Sequence, residues 1–137
     1  MNNVKTSKWM LEQASRRLKA VRIEMKRGSP AYSVRIAQES AELSLKAALR
    51  FVGIEYPKKH DVSRVLQSVK ERFPSWFDTD RLAEIGTWLA ERREPAMYGN
   101  EAKGISPDEL FTKEDAKIAL NYAEDIYNSC KRLIGES

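Results

Sequence analysis

The chain has 137 residues, a net charge of +4 and a 42% apolar share, proportions of one soluble domain that can bury a core without disulfides or metal. One cysteine, Cys130, and one histidine, His60, exclude an intrachain disulfide and the usual Cys/His metal clusters, and a lone thiol fits a reducing cytoplasm. No apolar run reaches membrane-spanning length and the N-terminal MNNVKTSKWM has no signal-peptide core, so the expectation is one cytoplasmic domain over residues 1–137, away from the membrane, with no cofactor.

The spacing of Leu11, Ala14, Leu18, Val21 and Met25, in steps of three and four, predicts a first helix from about Ser7 to Lys26. Ser7 is placed to cap its start and Gly28 to end it. Lys5, Lys8, Arg16, Arg17, Lys19, Arg22, Lys26 and Arg27 crowd this segment against Glu12 and Glu24. Such a face either attracts phosphate or an acidic protein, or is merely solvated.

A second helix is expected to open at Ser29-Pro30, with Ser as cap and Pro in the first turn. Val34, Ala37, Ala41, Leu45, Ala48 and Val52 form its inner stripe, and the many alanines invite close helix packing. After Gly53 and a loop containing Pro57, His60 or Asp61 opens a third helix with Val62, Val65, Leu66, Val69 and Phe73 inward, stopped by Pro74. Trp76 and Phe77 read as core plugs in the following loop. A fourth helix is expected from Thr79 to about Arg93, with Leu82, Ile85 and Leu89 inward and Pro95 forbidding continuation. The stretch 95–110 has no clean helical signal. A last helix begins at Thr112, capped with Asp115 as a short capping-box acid, and lines up Ala116, Leu120, Ala123, Ile126 or Tyr127, Cys130 and Leu133 before Gly135. No period-two alternation is present, which predicts an all-α antiparallel up-and-down bundle of four to five helices and no sheet. With no strand to precede one, a phosphate loop of the P-loop or Rossmann type is excluded.

Three stretches together resemble the HEPN family (higher eukaryotes and prokaryotes nucleotide-binding). They are Ala37–Leu49 (AQESAELSLKAAL) followed by Gly53; His60-Asp61 before a short apolar helix; and Phe111–Ala116 (FTKEDA) with Ala123 beyond. The resemblance spans nearly the whole chain. It implies a four- or five-helix bundle that often forms homodimers and is commonly encoded beside, or fused to, a minimal nucleotidyltransferase, in some cases as a toxin–antitoxin pair. It also implies that many members are metal-independent ribonucleases, while others bind without catalysis. Catalytic members carry an arginine and, four to six residues on, a histidine. The matching region here reads Arg92-Arg93-Glu94-Pro95-Ala96-Met97-Tyr98. Tyr98 stands where the histidine is expected, and a tyrosine is a poor general base at neutral pH.

The candidate site residues each keep two readings. Arg92 and Arg93 either bind a phosphate or sit as C-terminal cations against the helix dipole. Tyr98 either stacks on a base or anchors its loop. His60 and Asp61 either form an acid–base pair, or Asp61 caps the third helix while His60 fixes the loop. Glu42 and Lys46 either support the second helix from its surface or orient Arg92 or Arg93. Cys130, on an apolar stripe, reads as a small core residue. Three functions follow. The first is a regulatory module that dimerises, partners a nucleotidyltransferase and holds nucleotide or RNA phosphate. The second is a metal-independent ribonuclease with a degenerate motif. The third is a simple interaction bundle whose basic helix docks an acidic protein. The missing histidine tilts the reading away from an enzyme.

Overall fold

The computed structural model describes residues 3–135. Six helices follow in order: α1 (Asn3–Lys26), α2 (Pro30–Phe51), α3 (Ser63–Ser68), α4 (Thr79–Tyr98), α5 (Pro107–Leu110) and α6 (Lys113–Gly135). A single 3₁₀ turn, Lys70–Arg72, follows α3. Among the described residues the only extended pairing is one isolated antiparallel bridge between Asn100 and Ile105. The expected all-α antiparallel bundle is therefore the fold, built from the four long helices α1, α2, α4 and α6.

α2 is the axis of the bundle and packs against α1, α4, α5 and α6. Its alanines explain this. Ala37, Ala41, Ala47 and Ala48 are all buried, together with Val34, Leu45 and Leu49, so neighbours close on it from several sides instead of one. Val52 is only partly buried, because the helix ends at Phe51 and Gly53 turns the chain with φ 83°.

Several boundaries differ from the sequence reading for identifiable reasons. α1 begins at Asn3, and Ser7 is not its cap but a fully buried residue whose Oγ donates to the Asn3 carbonyl at 2.6 Å. Ser29 precedes α2 without a side-chain cap; its carbonyl accepts the Ser33 amide at 3.0 Å and the Ser33 hydroxyl at 2.7 Å. The predicted third helix is broken, since α3 stops at Ser68 and only a 3₁₀ turn carries the chain on. Phe73 still reaches the core, stacking on Phe77 with ring centroids 4.6 Å apart. Phe77 is buried, and Trp76 packs half-buried beside it under the Arg132 guanidinium at 3.9 Å.

α4 does not stop near Arg93 but runs through Pro95 to Tyr98. A proline so near the end deprives the helix of one N–H bond. The last turn is held elsewhere: Ala96 is buried, and the Gly99 amide donates to the Pro95 carbonyl at 2.8 Å. The featureless stretch that follows is a tight turn closed by Asn100 and Ile105, then the short α5 with a full Ser106–Glu109 capping box. The start of α6 is as read: the Asp115 amide donates to Thr112 Oγ1 at 3.1 Å and the Thr112 amide to Asp115 Oδ2 at 2.8 Å. Its inner face includes Ala116, Ala119, Ala123, Ile126, Cys130, Leu133 and Ile134.

Candidate phosphate-binding cleft

The polar centre of the molecule lies where α1, α2, α4 and the α2–α3 loop meet. α2 is amphipathic in an unusual way, because one edge of an otherwise apolar helix carries Arg35, Gln38, Glu39, Glu42 and Lys46 at helical spacing. α1 contributes Arg17, α4 contributes Arg93 and the loop contributes His60. Arg17, Arg35, Glu39, Glu42, Leu43, His60 and Arg93 line a cleft of about 350 Å³.

Two carboxylates organise it. Glu39 faces three guanidinium groups from three helices: Arg17 Nε at 3.2 Å, Arg35 Nε at 3.4 Å and Arg93 Nη1 at 3.8 Å. Glu42 receives Lys46 Nζ on Oε2 at 2.8 Å and faces His60 Nδ1 through Oε1 at 3.0 Å. Gln38, only 2% exposed, joins the two halves. Its amide nitrogen donates to Glu42 Oε1 at 3.0 Å, and its carbonyl oxygen accepts from Arg93 Nη1 at 2.8 Å. Three arginines against two glutamates leave the cleft with a surplus of positive charge even before Lys46 and His60 are counted. Guanidinium groups held in fixed positions, with N–H donors beyond those used by Glu39, suit a phosphate.

A second hollow of about 310 Å³, lined by His60, Ala90, Arg93, Glu94, Met97 and Tyr98, adjoins the first at the shared residues His60 and Arg93. It is less polar and opens beside the exposed Tyr98 ring (57% exposed).

The sequence-derived candidates therefore divide. Arg93, Glu42, Lys46 and His60 come together, and Tyr98 flanks them. Arg92 does not join them. Its guanidinium lies 3.6 Å over the Trp88 ring and donates to the Trp88 carbonyl at 2.8 Å, on a different face of α4. Adjacent helical positions point about 100° apart, which is why a pair read together in sequence parts in space. His60 does not pair with Asp61 either. Asp61 Oδ1 accepts the Ser63 amide at 3.0 Å and Oδ2 the Thr87 hydroxyl at 3.2 Å, so Asp61 ties the start of α3 to α4 while His60 turns to Glu42. A carboxylate at Nδ1 favours the tautomer that leaves Nε2 free to accept a proton. Arg17, Arg35, Gln38 and Glu39 were not singled out as site residues by sequence. The usable signal was Gln38, a polar amide among alanines on a helix otherwise destined for the core.

Cys130 is fully buried, and its burial pushes the thiol well above its ordinary range, so it stays protonated core packing. Among the described residues no group of three or more His, Cys, Asp or Glu side chains is placed to hold a metal ion, and no helix is long and apolar enough to cross a membrane.

The fold is similar to the crystal structure of TT1696 from Thermus thermophilus, with a TM-score of 0.77 and 24% identity over 96% of this chain and 98% of that one. It is also similar to the crystal structure of ST0689, an archaeal HEPN homologue, with a TM-score of 0.71 and 26% identity over 93% of this chain and 97% of that one. A comparison with curated proteins found no match. The family model described as "HEPN domain" matches residues 7–133. Matched across all of its long helices by that model, the chain belongs to the HEPN domain family.

Proposed function

We propose that this HEPN domain is a binding module that takes a phosphate-bearing ligand, a nucleotide or RNA, into the cleft between Arg17, Arg35 and Arg93. The observation that carries the reading is the convergence of three guanidinium groups on the one carboxylate of Glu39. In water such pairs contribute little. Their use is to hold cationic forks in place, with less ordering left to be done when an anion arrives. Tyr98, which lines the adjoining hollow with Met97 and Ala90, offers a flat ring for a base next to the phosphate seat. Titration calorimetry with adenosine nucleotides and a short uridylate oligomer tests this. The Arg93→Ala variant is expected to bind at least about tenfold more weakly, because a charge-assisted contact is lost. Uptake unchanged by that substitution, or no uptake by the parent, would discard the cleft as the site.

Family membership supports a wider setting for the same module: a cytoplasmic homodimer working beside a minimal nucleotidyltransferase in a toxin–antitoxin-like pair. Light scattering and co-purification with such a partner are the corresponding measurements.

A second reading is favoured by one specific contact. His60, which the sequence alone gave no route to Arg93, lines both hollows with it, and Glu42 holds its Nδ1. An imidazole from the α2–α3 loop thus stands where proton transfer to or from an RNA 2′-hydroxyl is feasible, in place of the histidine that α4 lacks. RNA cleavage in the presence of a chelator, compared among the parent, His60→Ala and Arg93→Ala, decides it. On this second reading cleavage is lost in both variants, and equal cleavage by all three dismisses this site as the cause.

A further inference from the structure

α1 commits one stripe, Met10, Leu11, Ala14, Leu18 and Val21, to the core and turns a very different stripe to solvent. Trp9, Arg16, Lys19, Ile23 and Lys26 are all exposed and recur at steps of three, four and seven, which return to the same side of a helix, and the exposed Lys8 borders them, so together they form one broad outward ridge. Glu12 is the one acid along it. Trp9 and Ile23 are each 52% exposed, and the roughly four helical turns between them place them about 21 Å apart. A shallow hollow lined by Val4, Lys5, Lys8, Trp9 and Glu12 lies against the tryptophan. Large apolar side chains set singly into a cationic ridge are not required by the fold, because neither reaches the core.

We propose that this ridge docks an acidic amphipathic helix of another protein. Carboxylates presented once per turn match the lysines and Arg16, and two apolar side chains about four turns apart cover Trp9 and Ile23. The other occupants fit less well. A polyphosphate chain satisfies the cations, and Trp9 can stack on a base, but Ile23 has no π face to offer. A second copy of the chain brings the same cations face to face. A lipid surface needs an apolar face to bury, and that of α1 is already inside the bundle. The surface is separate from the cleft and does not depend on what the cleft binds.

The probe is a synthetic helical peptide with glutamates along one face and two leucines about fourteen residues apart, followed by fluorescence anisotropy. The parent protein is expected to bind it, roughly tenfold more weakly when salt is raised severalfold. The pair Lys8→Glu with Lys19→Glu, and separately the pair Trp9→Ala with Ile23→Ala, are each expected to cost about tenfold in affinity. Helical circular dichroism and phosphate uptake by the cleft should be unchanged in both. The proposal is overturned if the parent does not bind the peptide, if the variants bind it as well as the parent, or if a uridylate oligomer or phosphatidylglycerol vesicles take up the protein through these residues more tightly than the peptide does.

Discussion

At the scale of single residues, Glu39 is the most informative side chain in the cleft. It holds Arg17, Arg35 and Arg93 in place, but it also neutralises part of their charge and engages some of the donors an incoming phosphate would use. The substitution Glu39→Gln keeps the shape and removes the charge. The expected result is a severalfold tighter uptake of phosphate in calorimetry together with a loss of about 1 kcal/mol of stability in thermal melts, the scale of partly exposed ion pairs. A weaker uptake would instead show that the positioning of the arginines by Glu39 outweighs the charge it takes from them. Little of this was legible in the sequence. Arg93, Glu42, Lys46 and His60 were named, and Glu42 and Lys46 were read as able to orient Arg92 or Arg93, but Arg92 was grouped with Arg93, and Asp61 with His60, by adjacency. Helical geometry separated the adjacent residues and tertiary packing joined the distant ones, such as Arg17 with Glu39. Neither effect leaves a mark in a short window of sequence.

At the scale of elements, local chemistry was a sound guide to the start of α6. The Thr112–Asp115 box starts α6 as read, whereas the caps at Asp78 of α4, its Oδ1 accepting the Arg81 amide at 3.1 Å, and at Ser106 of α5 went unread. The reading failed where packing overrides propensity. Pro95 ought to end α4, but Ala96 is drawn into the core and the chain stays helical through one more turn. Pro95 therefore sits in α4 at a cost, and Pro95→Ala is expected to raise the melting temperature, by an increment equivalent to about 1–3 kcal/mol, since the substitution restores an N–H and relieves the ring clash. A melting temperature that falls would mean that the proline is required by the turn that follows. That turn has little freedom: Gly99 has φ 67°, and a Cβ placed there would collide with the Ile105 carbonyl.

At the scale of the whole molecule, the bundle was readable because its long helices carry clean stripes of apolar residues, and the absence of period-two alternation spoke against a sheet. What was not readable is which helix stands in the middle. Alanine content hinted at close approach, and the structure shows why it matters: α2 contributes Ala37, Ala41, Ala47 and Ala48 to contacts with its neighbours while its polar edge supplies most of the cleft. Occupancy of the cleft and integrity of the core are consequently read by one and the same rod. Any molecule that settles on Arg35, Glu39 or Glu42 must register as a gain in resistance to heating, amounting to about 2.7 kcal/mol at a concentration roughly one hundred times its dissociation constant. A dye-based melting screen over a panel of nucleotides thus offers a way to find the natural cargo without knowing any reaction in advance.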